Sequence, residues 1–241
     1  MMAVLAYHKV DNRFELGVTT VRPEAFFRQI GDLKKRGYEI RLSAACDAGG
    51  GVCLTFDDGY DCFYRNVVPF LTSLNVGATV FIITDFIGKT NEWDLRLSYK
   101  PFVHMDQRQI REVAELGFEV GSHSCSHKDL TRLSRSTASN ELVRSKKQIE
   151  DMIGREVRSV SFPFGRHNAE VAALAREAGY EMLYGLGSSV GDGVIPRMPV
   201  YRFDNSAAVR RKVEMNRIEI VKGDLVHSFS YLSALLSVRR A

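Results

Sequence analysis

Short apolar segments that do not alternate with polar residues recur along the chain, and they constrain its fold more than any other feature. They lie at residues 4–7, 52–56, 78–83, 118–121, 157–162 and 180–184. A strand with one face in water alternates apolar and polar residues, whereas a strand buried on both faces is apolar throughout. The segments therefore predict strands that are covered on both faces.

Segments with helical spacing separate these strands. Pro23 suits the first turn of a helix, Phe26, Ile30 and Leu33 then fall on one face, and Gly37 suits its C-terminal end. Further helices are predicted at residues 106–116, 137–153 and 168–179. Strands that alternate with helices are typical of an α/β protein with a mostly parallel sheet. The pattern leaves open whether the sheet is a barrel or open, but both place ligands at the carboxyl ends of strands.

The length of 241 residues suits one domain, and no low-complexity linker divides it, so residues 1–241 are predicted to be a single domain. Lys and Arg number 33 against 29 Asp and Glu, and this net charge of +4 does not favour a nucleic-acid partner. No apolar window reaches the about 18 residues that a transmembrane helix needs.

The cysteines and the N-terminal segment bear on the compartment. The four cysteines form no Cys-x-x-Cys pair, and a domain of this size does not need disulfides, so reduced thiols are the simpler interpretation. The first residues lack the basic and apolar regions of a signal peptide. Both observations predict a cytoplasmic location.

Two adjacent carboxylates, Asp57 and Asp58, follow the predicted strand at residues 52–56. Alone they would repel, and one would take up a proton, whereas a divalent cation beside them keeps both ionised. An Asp-Gly pair is also a common turn, and on this segment alone the turn is the favoured interpretation.

Two histidines, His123 and His127, follow the predicted strand at residues 118–121. If the backbone between them is helical, both rings face the same way and can reach one ion. They could instead be unrelated surface histidines, but two of the six histidines in the chain stand where a site is expected, which favours metal ligands. Cys125, between them, is expected to point away.

Four motifs in order resemble one known family. They are Thr-Phe-Asp-Asp-Gly-Tyr at residues 55–60, Ala-Thr-Val-Phe at 78–81, Gly-Ser-His-Ser-Cys-Ser-His at 121–127 and Phe-Pro-Phe-Gly at 162–165. Their order and spacing resemble the polysaccharide deacetylases of the NodB-like chitooligosaccharide deacetylase type, carbohydrate esterase family four. Weaker points of resemblance are Tyr-His-Lys-Val at 7–10, Trp-Asp at 93–94 and Pro-Arg-Met-Pro-Val at 196–200. The resemblance covers about residues 3–204, and beyond residue 221 only a C-terminal helix is predicted.

The resemblance implies a distorted (β/α) barrel, with Asp57 as general base and Asp58, His123 and His127 as ligands of a divalent metal, of which Zn²⁺ is the first candidate. The chemistry of the residues agrees with this. Two imidazoles and one carboxylate leave coordination positions for water and substrate, as a catalytic site requires. Asp57 could then take a proton from that water.

Other positions either match the family or depart from it. The backbone of Phe164 would stabilise the oxyanion, and Trp93 is a candidate substrate contact. Many members carry arginine two residues before the position of Pro163, where this chain has Ser161. Arg197 is the candidate substitute.

The motifs do not identify the residue that protonates the departing amine. The late histidine that performs this step in the family has no counterpart here. His8, His167 and His227 are the candidates. We favour His8, because the ends of first strands open onto the catalytic face of a barrel.

The predicted activity is hydrolysis of an N-acyl group, most often acetyl, from an amino sugar in a saccharide or a saccharide precursor. Two alternatives remain open at this point. One is hydrolysis of a linear or cyclic non-sugar amide on the same fold, and the other is a carbohydrate-binding relative without turnover, which Ser161 and the missing histidine suggest.

Overall fold

The computed structural model describes residues 2–15, 17–42, 51–91, 101–187, 191–223 and 226. The strands are β1 (Met2–Tyr7), β2 (Lys9–Val10), β3 (Thr20–Val21), β4 (Ile40–Arg41), β5 (Gly51–Phe56), β6 (Thr79–Ile82), β7 (Glu119–Ser122), β8 (Ser159–Ser161), β9 (Met182–Tyr184) and β10 (Met198–Pro199). All six predicted strands are present, with ends that differ by a few residues. The additional two-residue strands β2, β3, β4 and β10 are too short to leave a periodic signal.

Eight of these strands form one sheet in the order β10-β1-β5-β6-β7-β8-β9, with β4 paired to β5. All of its pairings are parallel. Strands β2 and β3 form a separate parallel pair just after β1. The carboxyl ends of the long strands therefore meet at one edge, where the motif residues follow them.

The two ends of the sheet approach each other through residues 195–199. Ile195 forms a single parallel bridge with Tyr184 of β9, and β10, a few residues later, pairs with β1. The sheet consequently curls, with one irregular seam between its first and last strands. The predicted distorted barrel of mostly parallel strands is confirmed.

The helices cover the outside of the curled sheet. They are α1 (Pro23–Lys35), α2 (Val68–Ser73), α3 (Gln107–Glu115), α4 (Arg135–Ile153), α5 (Ala169–Glu177) and α6 (Ser206–Val213). The four predicted helices correspond to α1, α3, α4 and α5. Side chains at their N-caps explain where three of them begin, since Asp106, Ser134 and Asn168 each accept a hydrogen bond from the backbone three residues ahead.

Alternation along the strands separates two apolar clusters. Leu5, Tyr7 and Phe56 belong to the large cluster that the strands share with the helices. Val4 and Phe81 belong to a smaller cluster without helical residues, which lies on the inner face of the curl. His8 continues the inner series of β1, because it lies four residues after Val4.

Three further predictions concern the remaining chain. Residues 217–223 and 226 are helical, and the rest of the predicted C-terminal helix lies outside the described residues. In the described part of the chain, no helix is long and apolar enough to cross a bilayer. The single-domain assignment stays a prediction.

The prediction of reduced thiols is wrong at Cys53. Cys62 and Cys125 are free, but Cys53 on β5 is disulfide-bonded. A disulfide requires only that two Cβ atoms approach, so the absence of Cys-x-x-Cys spacing did not exclude one.

Candidate metal centre and active site

The two carboxylates follow directly after strand β5, at the carboxyl end of the sheet. Both Asp57 and Asp58 are buried. Asp58 has a positive φ of 70°, and His104 Nδ1 donates a hydrogen bond of 2.7 Å to its backbone carbonyl. This left-handed backbone turns successive side chains differently from a regular strand, so the adjacent carboxylates have separate surroundings.

The carboxylate of Asp58 lies close to both histidines that follow β7. Its Oδ1 lies 3.5 Å from His123 Nε2 and 3.5 Å from His127 Nε2. The three ligand atoms lie within 4.8 Å of one another. Zinc bonds of about 2.0–2.1 Å in tetrahedral geometry place neighbouring ligand atoms about 3.3 Å apart, so the arrangement fits a zinc-type ion.

Hydrogen bonding and burial prepare the imidazoles as ligands. His123 Nδ1 donates a hydrogen bond of 2.7 Å to the carbonyl of Ser161, which leaves the Nε2 lone pair for the ion. Burial lowers the pKa of His123. Burial, and then the neighbouring His123, lowers the pKa of His127 well below 6.5. Both rings are therefore neutral at neutral pH, as ligation requires.

The segment between the two histidines is not helical, so helical spacing is not what brings the two rings together. Ser124 and His127 have positive φ values of 64° and 57°, and these two left-handed residues bring the rings to one side. Cys125 points away from the ligands, as expected. Its thiol donates to the carbonyl of Glu141 at 3.4 Å and accepts from Arg144 at 3.1 Å.

Asp57 is paired with Arg197 across the inside of the barrel. The guanidinium binds both carboxylate oxygens, at 2.8 and 2.9 Å. It also donates to Thr55 Oγ1 at 3.0 Å and to Ser161 Oγ at 2.7 Å, and its Nε donates to the carbonyl of Gly185 at 3.2 Å. Arg197 is 0% exposed and Asp57 is 2% exposed.

The pair occupies the place where the resemblance expected an arginine in position 161. A small serine there leaves room for the guanidinium that arrives from the segment before β10. Burial alone would raise the pKa of Asp57, but Arg197 and the nearby His123 reverse this and hold it well below its usual range. Asp57 is therefore ionised at neutral pH.

His8 lies at the end of β1 on the same side of the sheet as the ligands. The register pairs Tyr7 with Phe56, so the next residue of each strand, His8 and Asp57, are neighbours. The side chain is half-buried. Its pKa is lowered to about 4, first by burial, with Asp57 opposing and Arg197 adding to the effect.

The remaining predicted residues are Phe164, His167, Trp93 and His227. Phe164 has a positive φ of 57°, and its ring packs on the imidazole of His127 with centroids 4.6 Å apart. His167 stacks on the buried ring of Phe162 at 5.6 Å. Trp93 and His227 lie outside the described residues.

Two residues of the site were missed from the sequence. His104 is buried and stacks on Tyr60 with ring centroids 4.6 Å apart, and Glu141 of α4 binds the segment between the histidines. Glu141 lies within a predicted helix and His104 lies outside every motif, so no local pattern marks them. The arrangement as a whole combines a candidate metal site with an ionised carboxylate and a neutral histidine beside it.

Comparison with known proteins adds the family. The sequence pattern described as Polysaccharide deacetylase matches residues 45–183, more than half of the chain. YxkH of Bacillus subtilis, whose name assigns it to the polysaccharide deacetylases, is 28% identical over 190 residues, 75% of this chain and 63% of that protein. A poly-beta-1,6-N-acetyl-D-glucosamine N-deacetylase of Staphylococcus aureus is 24% identical over 161 residues, 61% of this chain and 53% of that protein. The chain spans less than two thirds of the length of these relatives.

Among solved structures, the deacetylase PplD of Streptococcus pyogenes, in complex with acetate, has the same fold. It superposes with a TM-score of 0.74 over 88% of this chain and 97% of that chain, at 20% sequence identity.

Proposed function

Because this chain belongs to the polysaccharide deacetylase family, we propose that it removes an N-acyl group, most often acetyl, from an amino sugar by hydrolysis. The observation that carries the proposal is the meeting of Asp58, His123 and His127 beside the ionised Asp57. The products are a free amine and a carboxylate.

We propose Asp58, His123 and His127 as the ligands of a divalent ion, with Zn²⁺ as the first candidate. When bound, such an ion polarises the amide carbonyl and makes water nucleophilic at neutral pH. Neutral imidazoles and a carboxylate are the donors that zinc prefers. The ligand identity rests on the 3.5 Å distances from Asp58 to both rings.

Asp57 is the proposed general base. An ionised carboxylate can accept the proton that the attacking water loses. Arg197 orients it through two parallel hydrogen bonds, which fix the plane of the carboxylate. The same pairing makes Asp57 a weak base, so its contribution depends on being held in position as well as on its affinity for protons.

His8 is the proposed proton donor to the leaving amine, since an amide nitrogen leaves poorly unless it is protonated. Its pKa of about 4 means that it is neutral before the reaction starts. It must therefore gain the proton during the cycle, and Asp57, its neighbour across β1 and β5, is the group positioned to hand one on. The backbone N–H of Phe164 is the proposed oxyanion contact.

We also propose the substrate class, from the names of the relatives. The Staphylococcus aureus relative is named for poly-beta-1,6-N-acetyl-D-glucosamine, so N-acetylated glucosamine oligomers are the first compounds to test. A nucleotide-linked or lipid-linked precursor is the form of substrate that the predicted cytoplasmic location favours. The Cys53 disulfide weighs against that location, because disulfides persist in oxidising compartments. Cell fractionation decides between the two.

The test is a screen for amine release by the Zn²⁺-loaded protein over N-acetylated amino-sugar oligomers and linear and cyclic non-sugar amides. Asp57→Asn is the matched control, because it keeps the proposed ligands. We expect turnover of the sugar oligomers that the control lacks. Turnover of non-sugar amides alone would overturn the proposed substrate, and sugar binding without any turnover would indicate a non-catalytic relative.

A further inference from the structure

The segment that joins the two histidine ligands adopts a backbone that it would not hold by itself. Ser124 and His127 are left-handed, with φ values of 64° and 57°. This conformation is unfavourable for a residue other than glycine. Because the positions of both imidazoles depend on it, the contacts that fix this backbone also fix the distance between the ligands.

Glu141 of α4 makes the contacts on one side of the segment. Its Oε2 accepts hydrogen bonds from the backbone N–H groups of Cys125 and Ser126, both at 2.9 Å. Its Oε1 accepts a third from Ser126 Oγ at 2.7 Å. The carboxylate thus receives the two consecutive N–H groups that lie between His123 and His127.

The loop after β6 makes the contacts on the opposite side. The backbone N–H groups of Thr84 and Asp85 donate to the carbonyls of Ser124 and Cys125, at 3.3 and 2.9 Å. The segment is therefore held by its N–H groups on the α4 side and by its carbonyl groups on the β6 side. Of the contacts on these two sides, those on the α4 side come from a side chain, that of Glu141, and those on the β6 side come from the backbone.

The packing of helix α4 does not require a carboxylate at position 141. Leu142 and Ile149, on the same helix, are buried in the apolar core that anchors it. Glu141 is only 8% exposed, and burying a carboxylate is unfavourable unless it is fully hydrogen-bonded. An apolar residue would serve packing better, so the hydrogen bonds to the segment are the reason for a carboxylate here.

We propose that Glu141 is a positioning residue for the metal centre, which sets the affinity and coordination geometry of the ion through hydrogen bonds to residues 125 and 126. The inference rests on the proposed metal site. It acts through position and not through charge, because glutamine could make the same three contacts. Its amide oxygen would accept the two backbone N–H groups, and its NH₂ group would donate to Ser126 Oγ.

The experiment compares Glu141→Gln with Glu141→Met, which has a similar volume but no strong acceptor. The dissociation constant for Zn²⁺ is measured by competition with a chromophoric chelator, and the visible spectrum of the Co²⁺-substituted protein reports coordination geometry. We expect Glu141→Met to bind Zn²⁺ about 10- to 100-fold more weakly, with a changed Co²⁺ spectrum. Glu141→Gln should resemble the unchanged protein in both measurements. Asp151→Asn, on the exposed face of the same helix, is the control.

Two results would overturn the inference. One is an unchanged Zn²⁺ affinity and Co²⁺ spectrum in Glu141→Met, and the other is an equal loss in Glu141→Gln, which would assign the effect to charge. If Glu141→Met does not fold, Glu141→Asp replaces it, because its shorter side chain cannot reach all three donors. Failure of the unchanged protein to bind Zn²⁺ would instead contradict the proposed metal site.

Discussion

Replacing Arg197 by methionine tests how the site keeps Asp57 ionised. Methionine fills a similar volume, but it removes all five hydrogen bonds of the guanidinium and leaves a buried carboxylate without its cation. Breaking a buried pair in this way destabilises a protein by about 3–5 kcal/mol. This is a large part of the about 5–15 kcal/mol that holds a typical domain folded.

The pH dependence distinguishes this cause from a packing defect. With Arg197 present, the pKa of Asp57 lies below 3.8, so the pairing stabilises the protein above that pH and is lost only at lower pH. Without Arg197, burial raises the pKa, and the penalty for the ionised form grows as pH rises above the unfolded value. The loss caused by Arg197→Met should therefore be larger at about pH 7 than at about pH 4.5.

The assay is urea unfolding of the metal-free protein at both pH values. Arg135→Met is the matched control, because Arg135 is 57% exposed and its pair with Glu177 contributes at most about 1 kcal/mol. Adding Asp57→Asn to Arg197→Met should recover part of the loss, because it removes the buried charge. A loss that is equal at both pH values, or no larger than the control, would refute the reasoning.

Three further predictions concern single residues of the site. Asp57→Asn should keep the metal and lower turnover by about two to four orders of magnitude; steady-state kinetics with turnover near normal would exclude Asp57 as the base. His8→Gln should lower kcat while leaving metal content unchanged, and full activity in the amine-release assay would exclude His8 as the proton donor. Folding lowers the pKa of His104 from 6.5 to about 4. The free energy of unfolding should therefore be higher above pH 6.5, by up to about 3 kcal/mol, and this difference is lost as the pH falls toward 4. His104→Gln should flatten that slope in urea titrations of the metal-free protein, and an unaltered slope would contradict the assignment.

The parts of the fold that the sequence predicted are those governed by local pattern. Strands buried on both faces produced continuous apolar runs, and the helices between them showed apolar residues at helical spacing. The motif residues after β5 and β7 were expected to meet because parallel strands end at the same edge. The closure of the sheet came from the family resemblance, since the bridge at Ile195 has no local signal.

The parts of the site that the sequence predicted only indirectly, or not at all, depend on contacts between distant residues. Arg197 lies 140 residues from Asp57 in the chain, and only the absence of arginine at Ser161 suggested that it could serve as a substitute. Glu141 lies among ordinary helical residues, and its role follows from what the α4 face touches. The left-handed backbone at Ser124 and His127 also could not be deduced, because neither residue type requires it.

Elemental analysis of the purified protein tests the central claim, which is that Asp58, His123 and His127 hold a divalent metal. We expect about one divalent ion per chain in the unchanged protein, and little in His123→Ala and in His127→Ala, each measured after dialysis under the same conditions. Circular dichroism should show that both variants remain folded, so that any loss of metal is a loss of ligands. A metal content that is the same in the unchanged protein and in both variants would contradict the account.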